Sequence, residues 1–298
     1  MTLLRRIIVG QSFFPDGDIA VQAATVLAER AGAALYLLHV VEPYHFYERM
    51  RFPTVSVETM LDEIVVKMRA QLQELAQRPE FSRLHIETEV RRGKPFVEII
   101  RACREWNGDL IVVGASPRGA GRLLGSNGER LLRQSPVPVL IAKRALPRGP
   151  LTVLIPTDFS ACSKQAAEEA LTLVRSSAGR AIFLHVLTLP SLYPDAYGTS
   201  PAALPPLTPA EIEPDWQQFL GDLPLEGITW EKQTCEGRAA PTIADAADEI
   251  AADLVVIGTH GRTGLALVFL GSVAEEVLRT TKCSVLTVRP DGFRFELP

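Results

Sequence analysis

The sequence predicts an α/β protein of two tandem doubly wound domains, each a five-stranded parallel sheet flanked by helices, as in Rossmann-like folds. Three observations support this prediction. The chain has 298 residues, a length that favours two domains of ordinary size. The first half of the sequence recurs in the second half. Within each copy, short apolar runs alternate with segments whose apolar residues follow helical spacing, as strands and helices do.

The internal repeat rests on anchors that recur in the same order. These anchors are His39 with His185, 109–114 with 253–258, and Gly125-Ser126 with Gly271-Ser272. Their offsets are 146, 144 and 146 residues, because the first copy lacks two residues before its last anchor. We therefore predict domains at 1–145 and 150–290, joined by a linker at 144–150 that contains two prolines and a glycine.

The second copy shows the elements most clearly. We expect strands at 151–156, 181–186, 228–235, 253–258 and 284–288. We expect helices at 160–176, at 238–251 and at 272–280, and a further helix that ends near residue 221. The Pro-rich stretch 189–209 is expected to be a loop. Fully apolar strands between helices favour a parallel sheet covered on both faces. An unpaired apolar edge strand invites association, so the last strands, 138–143 and 284–289, are predicted to pair with each other.

Composition limits the classes of function. No apolar run reaches the ~18 residues that a membrane span needs, and the short apolar start is not typical of a secretory signal, so we expect a cytoplasmic protein. Up to residue 145 there are 20 Lys and Arg against 16 Asp and Glu, and beyond it 11 against 19. Neither half is basic enough to predict nucleic acid as the main partner. The four cysteines form no CxxC pair, which favours buried small residues over a zinc site or disulfides.

Two loops of the second copy carry residues suited to a ligand at the strand ends. Asp158 follows the first strand, and its carboxylate suits the amino or hydroxyl groups of a nucleoside. After the fourth strand, Gly258 and Gly261 are followed by nine residues and then by Gly271-Ser272, which open a helix. Glycines let backbone N–H groups approach an oxyanion, and a helix N-terminus adds open donors and a favourable dipole. These loops predict an anion-binding site.

The string GTHGRTGLALVFLGS at 258–272 resembles the motif of the universal stress protein family: a glycine, two residues, a glycine, nine residues, then glycine and Ser or Thr. PTDFS and the flanking strands fit as well, and the resemblance covers nearly the whole chain, twice. It implies the universal stress protein fold, a stress-response binding and signalling module, ATP as ligand with or without Mg²⁺, and partner proteins of unknown identity. It also implies dimerisation through the last strand. In a tandem chain the two domains can satisfy this pairing internally, and the formation of a homodimer of the whole chain is left open.

The resemblance also implies which residues contact ATP. Asp158 and the backbone of Val186 would hold the adenosine. The ribose and phosphates would be held by Gly258, Gly261, Gly271, Ser272 and Val273. It predicts no catalytic residue and no protein metal site.

Two of these residues, Ser272 and Asp158, also have a purely structural explanation. Ser272 with Glu275 matches a capping box, which stabilises a helix without any ligand. Asp158 is also suited to the N-cap region of the helix that follows it. His260 is expected to be an exposed loop histidine. The two anchor histidines are expected to make strand-end hydrogen bonds rather than to bind metal.

The first copy departs from the motif. Gln11 or Ser12 stands where the second copy has its aspartate, and Pro117 replaces the second glycine. Proline lacks the N–H that a phosphate would need, and only seven residues separate it from Gly125. We therefore expect the first domain to have lost ATP binding. Three basic residues near its third strand either add positive potential or form a solvated rim: Arg91, Arg92 and Lys94.

Two other functions compete with that of a binding module. A slow ATP hydrolase is one, but the sequence has no GxxxxGK[ST] loop, no set of acids for Mg²⁺ and no obvious base. A scaffold whose degenerate N-terminal pocket takes a non-nucleotide ligand is the other.

Overall fold

The computed structural model describes residues 4–43, 57–115, 126–187, 208–260 and 270–290. The strands are β1 Arg6–Gly10, β2 Ala34–Val41, β3 Ile86–Arg92, β4 Leu110–Gly114, β5 Val139–Ala142, β6 Thr152–Pro156, β7 Arg180–Leu187, β8 Thr229–Glu236, β9 Leu254–Gly258 and β10 Ser284–Val288. The helices are α1 Pro15–Ala31, α2 Val57–Ala76, α3 Pro95–Trp106, α4 Ser126–Gln134, α5 Ala161–Ser176, α6 Glu213–Gly221, α7 Ala239–Glu249 and α8 Ser272–Thr280, with a 3₁₀ turn at Pro79–Phe81. None of these helices is long and apolar enough to cross a bilayer.

The ten strands form one sheet in the order β3-β2-β1-β4-β5-β10-β9-β6-β7-β8. Within each domain all neighbours are parallel, whereas β5 and β10 pair antiparallel, with Leu286 opposite Leu140. The predicted fold class is therefore confirmed, and so is the predicted pairing of the two last strands. Each domain contributes its edge strand, β5 or β10, to this pairing. The pairing provides hydrogen-bond partners for backbone groups that an isolated domain would expose.

Helices cover both faces of the sheet, because the strands are apolar on both sides. One face packs against α1, α2, α5 and α6, and the other against α3, α4, α7 and α8. Each face forms a cluster of buried side chains that continues through both domains. The two domains thus share their cores as well as their sheet.

The seam between the domains contains two related cations. Lys143, just after β5, donates from Nζ to the carbonyl oxygen of Thr281 and, at 3.0 Å, to its hydroxyl, at the end of α8. Arg289, just after β10, donates to the carbonyl oxygen of Leu132 in the last turn of α4. Cations suit helix C-termini, where the dipole is negative. Burial lowers the pKa of Lys143 to about 8 and that of Arg289 to about 10. Each domain therefore holds the last helix of the other.

The connection between β5 and β6 contains no helix or strand, as a linker should. Hydrogen bonds nevertheless hold this connection at several points. Arg30 of α1 donates to the carbonyl oxygens of Pro147 and Gly149, and Arg144 donates to that of Ala252. The linker therefore packs along the domains it joins.

Candidate functional site

The strand order places a crevice in the second domain at the carboxyl ends of β6 and β9. These strands are neighbours in the sheet. The chain leaves β6 towards α5 on one face and leaves β9 towards α8 on the opposite face. A switch of face between neighbouring strands creates a crevice at their carboxyl ends, which is where open α/β sheets bind ligands.

The loop after β6 is fixed by its own polar groups. Thr157 Oγ1 accepts a hydrogen bond from Phe159 N at 2.9 Å, and Asp158 Oδ1 accepts one from Ser160 N at 3.0 Å. Ser160 is the N-cap of α5, and its hydroxyl accepts from Ser163 N. The N-cap is therefore Ser160, and Asp158 orients the turn two residues earlier. Asp158 itself is half-buried.

A cluster of aromatic side chains packs against this turn. Phe159 has a φ of +63°, a strained conformation for a residue with a side chain. Its ring stacks on His185 at 4.4 Å and meets buried Trp216 edge-on at 5.0 Å. His185 Nδ1 lies 2.7 Å from the Thr157 carbonyl oxygen, as the sequence predicted for a strand-end histidine. The packed rings hold the backbone that carries Asp158.

Gly258 ends β9 against the first turn of α5. A Cβ there would lie 2.9 Å from Cys162 Sγ, so close packing of strand and helix demands glycine at this corner whether or not a ligand binds. No pattern in the sequence indicates this contact with Cys162, although both positions lie in segments that follow strands of one domain.

His260 differs from its expectation. It is half-buried rather than exposed: Nδ1 lies 2.8 Å from Thr259 Oγ1, and Nε2 is buried without a hydrogen-bond partner in the described part of the chain. Burial, and then the charge of Arg289, lowers its pKa, because both disfavour the protonated ring. The imidazole is therefore neutral at physiological pH.

The helix α8 presents the anion-binding part of the site. Gly271 is its N-cap and donates from its N–H to the Thr259 carbonyl oxygen at 2.8 Å, which closes the loop after β9. Ser272 is the first residue of the helix, not its cap, so it forms no capping box with Glu275. Ser272 and Val273 are exposed. The first N–H groups of a helix have no acceptor within it, so this turn is suited to an oxyanion.

The structure thus brings most of the predicted residues to one edge of the sheet: Asp158, Val186, Gly258, Gly271, Ser272 and Val273. Val186 is half-buried near the carboxyl end of β7, beside β6. Gly261 lies outside the described residues, as do Pro117 and Gly125 of the first domain. Asp158 and the first turn of α8 follow the ends of the neighbouring strands β6 and β9.

The first domain repeats the backbone of this site but not its chemistry. His39 Nδ1 lies 2.7 Å from the Gln11 carbonyl oxygen, and Phe13 has a φ of +57°, so Gln11 corresponds to Thr157. Ser12 therefore occupies the position of Asp158. At the glycine corner, a Cβ on Gly114 would lie 2.0 Å from the backbone oxygen of Asp16. An aspartate thus stands where the second domain has Cys162, and its Oδ2 lies 3.4 Å from the Ser12 hydroxyl.

The basic residues of the first domain are compensated. Arg91 is mostly buried and pairs with Glu89 at 2.7 Å and Glu105 at 2.6 Å. Arg92 pairs with Asp62 and Glu58. These arginines therefore supply less positive potential than their number suggests; exposed Arg92 fits the interpretation as a solvated rim, whereas Arg91 does not.

Other chemistry-bearing groups are dispersed. Within the described ranges, no three or more His, Cys, Asp or Glu side chains group in a way that could hold a metal ion. All four cysteines are free thiols; three are buried, and Cys235 on the edge strand β8 is half-buried.

The fold and the placement of these loops define a tandem of doubly wound α/β domains with a candidate ligand site at the strand ends of the second domain. The universal stress protein family matches this chain twice, at residues 4–143 and 151–289. The chain therefore belongs to the universal stress protein family and carries two of its domains.

Individual relatives support this assignment. The chain is 28% identical over 302 residues to a universal stress protein of Mycolicibacterium smegmatis, across 95% of this chain and 97% of that protein. It is 47% identical over 58 residues to universal stress protein E of Photorhabdus laumondii, a match that spans 20% of this chain and 18% of the relative. A universal stress protein structure from Archaeoglobus fulgidus superposes with a TM-score of 0.69 at 22% identity, over 95% of this chain and 96% of that one. This structural match supports the fold.

Proposed function

We propose that this protein binds ATP in its second domain and acts as a nucleotide-dependent binding and signalling module in the stress response, not as an enzyme. ATP occupancy would set a conformation that partner proteins recognise. A cytoplasmic location and association with a second copy belong to the same proposal.

One observation carries this proposal: Asp158 and the first turn of α8 follow the carboxyl ends of the neighbouring strands β6 and β9, whose helices cover opposite faces of the sheet. The carboxylate accepts hydrogen bonds, as ribose hydroxyls or an adenine amino group require. The N–H groups of the helix donate, as phosphates require. These opposite preferences fit a molecule with a nucleoside at one end and phosphates at the other.

The same argument assigns one site per chain. Ser12 replaces the carboxylate in the first domain, and Asp16 lies against its glycine corner. We therefore propose that the first domain binds no ATP and supports the second domain through the shared sheet.

Titration calorimetry with ATP on the full chain tests both statements. We expect one site per chain with a Kd of roughly micromolar, or about −8 kcal/mol. Asp158→Ala should weaken binding at least about tenfold, or ~1.4 kcal/mol, because it removes a partner of the nucleoside. Ser12→Ala, at the equivalent position of the first domain, is the matched control and should leave binding unchanged.

Two results would contradict the proposal. Two equivalent sites per chain would show that the first domain is competent. Turnover of several ATP per second by the same preparation, lost in Asp158→Ala, would make the protein an enzyme, since typical enzymes turn over about 10 per second. Thermal melting of both variants controls for folding.

A further inference from the structure

A basic side chain outside the family motif lies close to the anion-binding end of α8. Arg238 is the N-cap of α7 and follows β8, whose carboxyl end lies at the same edge of the sheet as the crevice. Gly237 before it has a φ of +145°, and a Cβ there would lie 2.7 Å from Thr242 Oγ1. The turn that directs Arg238 therefore depends on glycine.

The ion pair that Arg238 forms shows where its guanidinium lies. Arg238 Nη2 lies 3.7 Å from Glu276 Oε1. Glu276 is the fifth residue of α8, and helix side chains lean towards the N-terminus, so this carboxylate covers the first turn. The guanidinium consequently lies beside the turn that begins with Ser272.

Arg238 is weakly held where it is. Its side chain is 80% exposed, and the separation from Glu276 is too long for a hydrogen bond. Glu276 is shared with Arg279, at 4.0 Å from the same oxygen. Exposed pairs of this kind contribute little, so the guanidinium can exchange a carboxylate for a phosphate at small cost.

We propose that Arg238 binds the terminal phosphates of the nucleotide and makes the site prefer ATP over AMP. This inference rests on the proposed ATP site. The first turn of α8 has only a few open N–H groups, enough for one phosphate. Further phosphates extend past the helix end, where Glu276 alone would repel them and Arg238 attracts them. A guanidinium binds phosphate oxygens in pairs, which a lysine cannot do.

The first domain provides the internal contrast. Lys94 is the N-cap of α3 and corresponds to Arg238, while Arg130 occupies the position of Glu276 and lies 5.1 Å from the Phe96 ring centre. Two cations thus replace the Arg–Glu pair there. Lys94→Ala removes the equivalent charge without touching the proposed site.

Calorimetry with ATP and AMP on the full chain tests the inference. We expect Arg238→Ala to weaken ATP binding about five- to tenfold while AMP binding changes less than about twofold. Arg238→Lys should recover part of the loss, and Glu276→Gln should tighten ATP binding by removing the repulsion. Lys94→Ala should change neither ligand, and melting temperatures check folding.

The outcomes separate the two claims. If the unmodified protein binds no ATP, the proposed function fails and this inference fails with it. If it binds ATP but Arg238→Ala is unchanged, or loses ATP and AMP equally, only the assignment of Arg238 is wrong.

Discussion

Lys143 offers a direct test of the seam between the domains. It joins the end of β5 in the first domain to the end of α8 in the second, through two hydrogen bonds to Thr281. Replacement by methionine preserves the length and apolar stem of the side chain but removes its charge and its donors. The pH dependence of stability should therefore change in a defined direction.

The sign follows from burial. Burial lowers the pKa of Lys143 from 10.5 to about 8 in the folded protein, so the folded state releases this proton before the unfolded state does. Between pH 8 and 10.5 the unfolded state binds more protons, and stability rises with pH. A shift of this size corresponds to about 3 kcal/mol at ~1.36 kcal/mol per unit. Because Lys143 is only half-buried, solvent screening reduces the expected gain to about 1–3 kcal/mol.

Urea unfolding of the full chain at pH 7, 8, 9 and 10 measures this effect. The free energy of unfolding of the native sequence should rise relative to Lys143→Met above pH 8, while other titrating groups cancel in the difference. Parallel pH profiles for the two proteins would show that the ammonium is not desolvated at the seam and would refute the reasoning.

Two further predictions concern packing and reactivity. Gly114→Ala should destabilise the protein by at least about 3 kcal/mol, because its Cβ would overlap the backbone oxygen of Asp16; a loss under 1 kcal/mol in denaturant unfolding would contradict the packing. A thiol reagent at pH 8 should modify about one of the four cysteines in the native protein, since three are buried and burial raises their pKa values, to about 12 for Cys103. Rapid modification of all four would mean that the core opens readily.

Local patterns in the sequence were enough to locate most elements. The helix expected at 272–280 and the strand expected at 284–288 have those bounds in the structure, and the helix expected at 238–251 spans Ala239–Glu249. Apolar periodicity and helix signals act over a few residues, so they can be read without the fold. The internal repeat then supplied the domain count, and the apolar edge strands predicted the pairing of the last strands.

The candidate site was only partly predictable. The motif placed Asp158, Gly258 and Ser272 in one crevice, because parallel strands end at the same edge of a sheet. Which first-domain residue replaces Asp158 was open between Gln11 and Ser12. The hydrogen bond from His39 to the Gln11 carbonyl oxygen decides it, since it fixes the register of the two copies.

By itself, then, the sequence determined the repeated α/β domain, the order of its elements and the loops that form the crevice. Only the tertiary structure decided which charges meet. It paired Arg91 with Glu105 of α3, placed half-buried Lys143 against the end of α8, and set Arg238 beside Glu276. Such pairs join residues far apart in the chain, and no short-range periodicity encodes their distance. Electrostatic interactions depend on the distance between charges in space, so they are defined only once the helices are packed on the sheet.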